Sequence, residues 1–95
     1  MGNDPEVLAI ACALARYMSA NPLASDTPDG IYRWWLGPDH GSMPKLLQAL
    51  DWMKARGLME EQVALDGRTR YRRTASDEQL DEAIREAGLA RGANH

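Results

Sequence analysis

The sequence predicts a mainly α-helical domain that carries one small β-hairpin. Four segments begin with a helix-capping residue and continue with helical spacing of apolar residues, and the turn signal Asp66-Gly67 separates two extended segments. The length of 95 residues suits a single domain. We expect a single domain over residues 1–90 and a frayed C-terminal tail over residues 91–95.

The first helix is predicted to begin after the capping residue Asp4 and to end near Ala20. Apolar residues cover most of its circumference, which is not the pattern of a helix with one face in solvent. Such a helix lies at the centre of a fold or is shared with a second subunit. We expect a homodimer formed through the first and last helices, with Leu8 and Cys12 at the partner interface.

Two further helices are predicted before the hairpin. One begins at the capping residue Thr27 and carries three aromatic residues that we expect in the core, namely Tyr32, Trp34 and Trp35. The other begins at Ser42 and reaches Arg56, where Gly57 supplies the residue type that commonly ends a helix.

The hairpin follows this third helix and precedes a last one. Residues 58–65 have the pattern of an extended segment, and residues 68–74 form the predicted return strand. Because side chains alternate along a strand, Tyr71 lies on one face and Arg68, Arg70 and Arg72 on the other. The last helix begins at Ser76, which is spaced for a capping box with Gln79.

Charge is distributed unevenly along the chain. The formal net charge is −3, which alone argues against a nucleic-acid partner. Residues 41–75, however, contain seven bases and four acids, a net charge of +3 between two acidic flanks. Such a polarised distribution favours electrostatic steering of an anionic partner toward the middle of the chain.

The remaining composition excludes several classes of protein. One cysteine cannot form an internal disulfide, and with two histidines it cannot supply a four-ligand zinc site. No nucleophile or second carboxylate accompanies His40 in a catalytic pattern, so we expect no enzyme activity and no cofactor or metal. The apolar run in the first helix is too short to span a bilayer, and we expect a cytoplasmic protein without a membrane partner.

Two segments carry a resemblance to a known family. Residues 42–59 resemble the recognition helix of winged helix-turn-helix domains, because a short basic stretch and then Gly57-Leu58-Met59 follow an apolar seam. Residues 66–74 resemble the wing, with a basic turn, an inward aromatic residue and a threonine before the last helix. The element order is similar to that of small bacterial regulators of the PadR-like and MarR-like kind, whose terminal helices form the dimer. The link over residues 37–41 is longer than is usual in the motif.

The resemblance implies sequence-specific binding of double-stranded DNA by a small dimeric transcriptional regulator. The third helix would enter the major groove, where Ser42, Lys45 and Gln48 are of residue types that contact phosphates and base edges. The hairpin would hold the DNA backbone through its guanidinium groups, which belong to Arg68, Arg70, Arg72 and Arg73.

Other interpretations of these residues stay open at this point. The arginines also fit a solvated hairpin, in which Glu60 and Glu61 on the neighbouring strand balance their positive charge. Trp52 fits a packed position under the hairpin or against the last helix, a partner interface, or a DNA contact. The alternative function is therefore a winged-helix protein–protein interaction module that does not bind DNA.

Overall fold

The computed structural model of the chain describes residues 4–36 and 41–92, with side-chain environments in the last helix as far as residue 87. The elements in order are α1 (Pro5–Ala20), β1 (Ser25–Asp26), α2 (Pro28–Gly30) continued by a π-helical segment (Ile31–Trp35), α3 (Met43–Ala55), β2 (Met59–Val63), β3 (Thr69–Arg73) and α4 (Asp77–Gly92). The prediction of a mainly α-helical fold with a small antiparallel sheet is confirmed. This element order is broadly consistent with a winged-helix-like topology.

Two predicted features fall partly or wholly outside the described residues. The long link before the third helix has its residues 37–40 there, and these include His40. Helix α4 continues to Gly92, so the first two residues of the predicted tail are helical, and residues 93–95 lie outside the described part.

The capping residues predicted from the sequence start the helices as expected. Each accepts a hydrogen bond from a backbone N–H in the first turn, and the four acceptors are Asp4, Thr27, Ser42 and Ser76. At α4 the capping box is complete, because the Gln79 side chain in return accepts the Ser76 N–H at 2.8 Å. These bonds satisfy backbone donors that a helix leaves unpaired at its start.

The sheet has three strands rather than the two of the predicted hairpin. Strands β2 and β3 pair antiparallel with Glu61 opposite Tyr71, and Gly67 in the connecting turn has a φ of +82°. The additional strand β1 pairs with the other side of β3 through only two residues, so that the order is β1-β3-β2. Two residues are too few to show the alternation that predicts a strand.

Helix α1 lies at the centre of the fold and packs against both α3 and α4. Eight of its sixteen residues are buried, and the others are mostly small or polar. Packing against α3 and α4 of the same chain therefore accounts for the apolar residues around α1.

Two α1 residues of the expected partner interface are buried within the chain. Leu8 and Cys12 are 2% and 3% exposed, and they form a small buried cluster with Ala87 of α4 that is flanked by Trp52 of α3. The chain covers these side chains itself, so they offer no open surface to another subunit. A homodimer through the first and last helices stays a prediction.

The aromatic residues of the second helical segment do not all enter the core. Trp35 is buried and its ring stacks on Tyr17 at a centroid distance of 4.7 Å, whereas Trp34 is 74% exposed. The core expectation was wrong for Trp34, because successive positions of a helix point in different directions and the two rings cannot share one face.

Candidate nucleic-acid interface

Helix α3 presents one side to the core and the other to solvent. Leu46, Ala49, Leu50 and Met53 are buried, while Gln48 on the opposite side is exposed. Ser42 is exposed before the first turn, and its hydroxyl accepts the Lys45 N–H at 3.4 Å. The hydroxyl of Ser42 and the amide of Gln48 are thus the predicted DNA-contacting groups that face solvent on this helix.

Lys45 is already engaged within the chain. Its ammonium group donates a hydrogen bond to the Asp4 carboxylate and lies 3.6 Å from Oε2 of Glu6, both at the start of α1. The hydrogen bond from Lys45 and that from the Glu6 N–H hold the pKa of Asp4 below its usual range. The same contact with Asp4 raises the pKa of Lys45. An anionic ligand that binds Lys45 must therefore compete with two carboxylates.

The β-hairpin exposes three of its four arginines. Tyr71 is buried and its strand neighbours Arg70 and Arg72 are exposed, which is the predicted alternation. Arg68 precedes β3 and its side chain is 74% exposed, with Asp66 at 3.8 Å. These three side chains, which we call the hairpin arginines, are exposed.

One of the hairpin arginines has a carboxylate partner on the neighbouring strand. Nε of Arg72 donates to Oε1 of Glu60 at 2.5 Å, across the strand pair β2–β3. Glu61, the other glutamate expected to balance the hairpin, instead accepts bonds from Lys54 of α3 and from the Tyr71 hydroxyl. Glu60 therefore offsets the charge of Arg72, as in the alternative of a solvated and balanced hairpin. Glu61 instead attaches the hairpin to α3.

The contacts of Glu61 perturb three pKa values. The hydrogen bond from Lys54 lowers the pKa of Glu61, and the same bond raises the pKa of Lys54. The pKa of Tyr71 is raised, mainly by burial and further by the neighbouring Glu61. All three shifts favour the charge states in which the hairpin stays bonded to α3 at neutral pH.

Arg73 has a structural position that differs from its expected contact with DNA. Its side chain is 11% exposed, and its guanidinium donates to the carbonyl of Ala75 at 2.6 Å, the carbonyl of Met18 at 3.0 Å and the carboxylate of Asp77 at 2.7 Å. These bonds join the ends of α1, β3 and α4. The donors of this guanidinium are engaged within the chain, and a DNA contact by Arg73 stays a prediction.

Trp52 takes the packed position among the three that its sequence context allowed. It is half-buried and packs against the main core and against the small cluster of Leu8, Cys12 and Ala87. The guanidinium of Arg56 lies 4.1 Å from the centroid of its ring and is also 3.0 Å from Glu86 of α4. Trp52 and Arg56 thus fasten α4 to α3, and little of the indole is open to a partner.

Sequence reasoning missed a set of exposed apolar side chains. Val63 at the end of β2 is 73% exposed, Leu65 in the turn is fully exposed, and Leu23 before β1 is 95% exposed. No signal of periodicity separates them from core residues, because they lie at strand ends and in loops. Val63 and Leu65 add apolar surface to the outer part of the hairpin, whereas Leu23 precedes β1.

Metal ligation and membrane insertion each require a feature that the described residues do not show. Within residues 4–36 and 41–92, no three histidine, cysteine, aspartate or glutamate side chains converge on one point as a metal site requires. Among the helices of these same ranges, none combines the length and apolar character needed to cross a membrane.

Comparisons with known proteins found no match to this chain. No protein-family model, no curated protein and no solved structure matches the chain. The fold therefore stands as a small domain of helices with a three-stranded antiparallel sheet.

Proposed function

We propose that the chain is a winged-helix-like module that binds double-stranded DNA in a sequence-specific manner and regulates transcription. The observation that carries the proposal is the exposure of the hairpin arginines on an otherwise anchored hairpin. An anchored strand pair holds the backbone of these arginines in place before binding, so that mainly their side chains are ordered on contact with a rigid polyanion. The overall acidity of the chain does not prevent this, because charge acts locally on an approaching phosphate.

The hairpin arginines would supply the phosphate contacts. A guanidinium can form two parallel hydrogen bonds to a phosphate, and such contacts position a protein on DNA without reading its sequence. Arg72 would exchange Glu60 for a phosphate at small cost, since exposed ion pairs are worth about 0–1 kcal/mol.

Sequence would be read by the exposed start of α3. The amide of Gln48 can pair with an adenine edge in the major groove, and Ser42 can hold a phosphate at the start of the helix. Lys45 enters this contact only if it leaves its carboxylate partners.

The proposal is tested by fluorescence anisotropy with mixed genomic DNA fragments at two salt concentrations. In Arg68→Ala/Arg70→Ala we expect weaker binding and a log–log salt slope reduced by about 2, since each neutralised phosphate adds roughly 0.9 to the slope. The matched control is Arg16→Ala/Arg85→Ala, which removes the same charge from exposed positions of α1 and α4. We expect its slope to stay close to that of the parent. Equal reductions in both variants, or no binding by the parent at low salt, would contradict the proposal.

A protein–protein interaction module is the second candidate function, and the exposed apolar side chains favour it. Exposed apolar surface that is grouped on one part of a small protein marks an interaction site. Val63→Ser/Leu65→Ser should leave DNA affinity unchanged if DNA is the partner. Failure of the parent to bind DNA at low salt would make the interaction module the better interpretation.

A further inference from the structure

The strongest unexplained arrangement outside the hairpin is the pairing of the third helix with the start of the first. Lys45 is in the first turn of α3, and both of its ion-pair partners, Asp4 and Glu6, are at the start of α1. The side chain of Lys45 is 30% exposed, so solvent and ligands still reach it. The contact between Lys45 and Asp4 joins residues that are 41 positions apart in the chain.

We infer that Asp4 and Glu6 are specificity-determining residues that occupy Lys45 in place of a DNA phosphate. This inference rests on the proposed DNA-binding function. Lys45 then contributes to binding only on a DNA site whose backbone geometry brings a phosphate close enough to displace the carboxylates. The pair reduces binding to arbitrary DNA, because two carboxylates within the chain offset the charge of Lys45.

The two oxygens of Asp4 make this exchange compatible with an intact fold. Oδ1 accepts the Glu6 N–H at 2.8 Å and caps α1, whereas Oδ2 pairs with Lys45. When Lys45 leaves, the cap remains, so α1 keeps the start of its first turn. The exchange is therefore a movement of one side chain rather than an unfolding of the helix.

The backbone at the start of α3 is fixed independently of the ion pair. The Tyr32 hydroxyl donates to the Gly41 carbonyl at 3.1 Å, and Gly41 has a φ of +59°. A Cβ at Gly41 would lie 3.0 Å from Cδ1 of Ile10, so this backbone passes close against α1. Loss of the ion pair should leave α3 in place and release only the ammonium group.

A double-mutant cycle on DNA affinity tests the inference. The four proteins are the parent, Lys45→Ala, Asp4→Asn/Glu6→Gln and the combination, and asparagine keeps the cap at position 4. Fluorescence anisotropy is measured with mixed genomic DNA fragments at two salt concentrations. We expect Lys45→Ala to change the parent's affinity by no more than about twofold and to weaken Asp4→Asn/Glu6→Gln about tenfold, as for removal of one charge-assisted bond. The salt slope of Asp4→Asn/Glu6→Gln should steepen by about 0.9.

A matched control separates release of Lys45 from simple loss of negative charge. Asp81→Asn/Glu82→Gln removes two exposed carboxylates from α4, and Lys45→Ala should have the same small effect in that background as in the parent. Thermal melting of each protein checks that the fold is retained.

The outcomes distinguish this inference from the function on which it rests. If the parent binds DNA and Lys45→Ala has equal effects in the parent and in Asp4→Asn/Glu6→Gln, the inference is wrong and DNA binding stands. If none of the four proteins binds at low salt, both are wrong. Binding that appears in Asp4→Asn/Glu6→Gln but in neither the parent nor the combination would contradict the proposed function of the parent, while it would support the occupation of Lys45 by the two carboxylates.

Discussion

The helical body and the outer part of the β-hairpin use the same residue types in opposite ways. In the body, Leu14 is fully buried and Arg73 directs its guanidinium to protein acceptors. In the outer hairpin, Leu65 is fully exposed and Arg70 faces solvent. The difference teaches that residue type alone does not separate residues that hold this fold from those free to contact a partner.

The change from buried or bonded side chains to exposed ones occurs within the five residue pairs of strands β2 and β3. At its base, Met59 is buried opposite Arg73, and in the middle Glu61 is bonded to both Tyr71 and Lys54. At the outer end, Val63 is exposed opposite Thr69. The hairpin is thus anchored at one end and open at the other, and the following variants test where that boundary lies.

The largest expected contrast is between two leucine truncations. Leu14→Ala should reduce the free energy of unfolding by about 2–5 kcal/mol, because it removes a fully buried side chain and leaves a cavity that the surrounding core fills only partly. Leu65→Ala should change it by less than about 0.5 kcal/mol. Chemical denaturation of both variants measures the difference. Similar destabilisation of the two would show that the outer hairpin also belongs to the cooperative core.

A smaller contrast is expected between two arginines of β3. Arg73→Ala should reduce the free energy of unfolding by about 2–3 kcal/mol, because three acceptors on separate elements would be left without a charged donor. Arg70→Ala should reduce it by less than about 0.5 kcal/mol and act on DNA affinity instead. Chemical denaturation measures both changes.

Arg73→Lys is the informative control for this pair. A lysine keeps the charge but cannot reach three acceptors in the geometry of a guanidinium, so most of the destabilisation should remain. Full recovery of the melting temperature in Arg73→Lys would indicate that charge alone matters at this position.

The smallest expected effect concerns acid titration at the middle of the hairpin. Because the pKa of Glu61 is lowered in the folded protein, its contribution to stability is present above its ordinary pKa and is lost as the pH falls through the lowered value. The melting temperature of the parent should therefore exceed that of Glu61→Gln at about pH 6, and the gap should narrow toward about pH 3. A constant gap for Glu61→Gln would contradict the assigned role.

Local signals in the sequence predicted the elements that depend on local chemistry. The helix caps and the turn at Gly67 involve residues only a few positions apart, so the sequence alone predicts them. The capping residues are Asp4, Thr27, Ser42 and Ser76. The helical body was predictable for the same reason. Strand β1 was not, because a two-residue strand exists only through its pairing with Tyr71 and Arg72, far along the chain.

The sequence predicted which side chains of the hairpin are exposed better than it predicted the contacts of helix α3. Alternation placed Arg70 and Arg72 on the exposed face, since alternation is a property of the strand itself. The engagement of Lys45 by Asp4 and the packing of Trp52 against Leu8 depend on how helices cross. No spacing rule within one helix contains that information.

Strand β2 also determines how the molecule behaves at high concentration. It is a border of the three-stranded sheet, with one side paired to β3 and the other unpaired within the sheet. Such a border can recruit strands from neighbouring molecules and lead to aggregates. The adjacent glutamates Glu60 and Glu61 lie on this border in ion pairs with Arg72 and Lys54, and charged side chains on an edge strand oppose such pairing. Charged residues thus precede the exposed Val63 on the same strand and oppose its pairing with a neighbouring molecule.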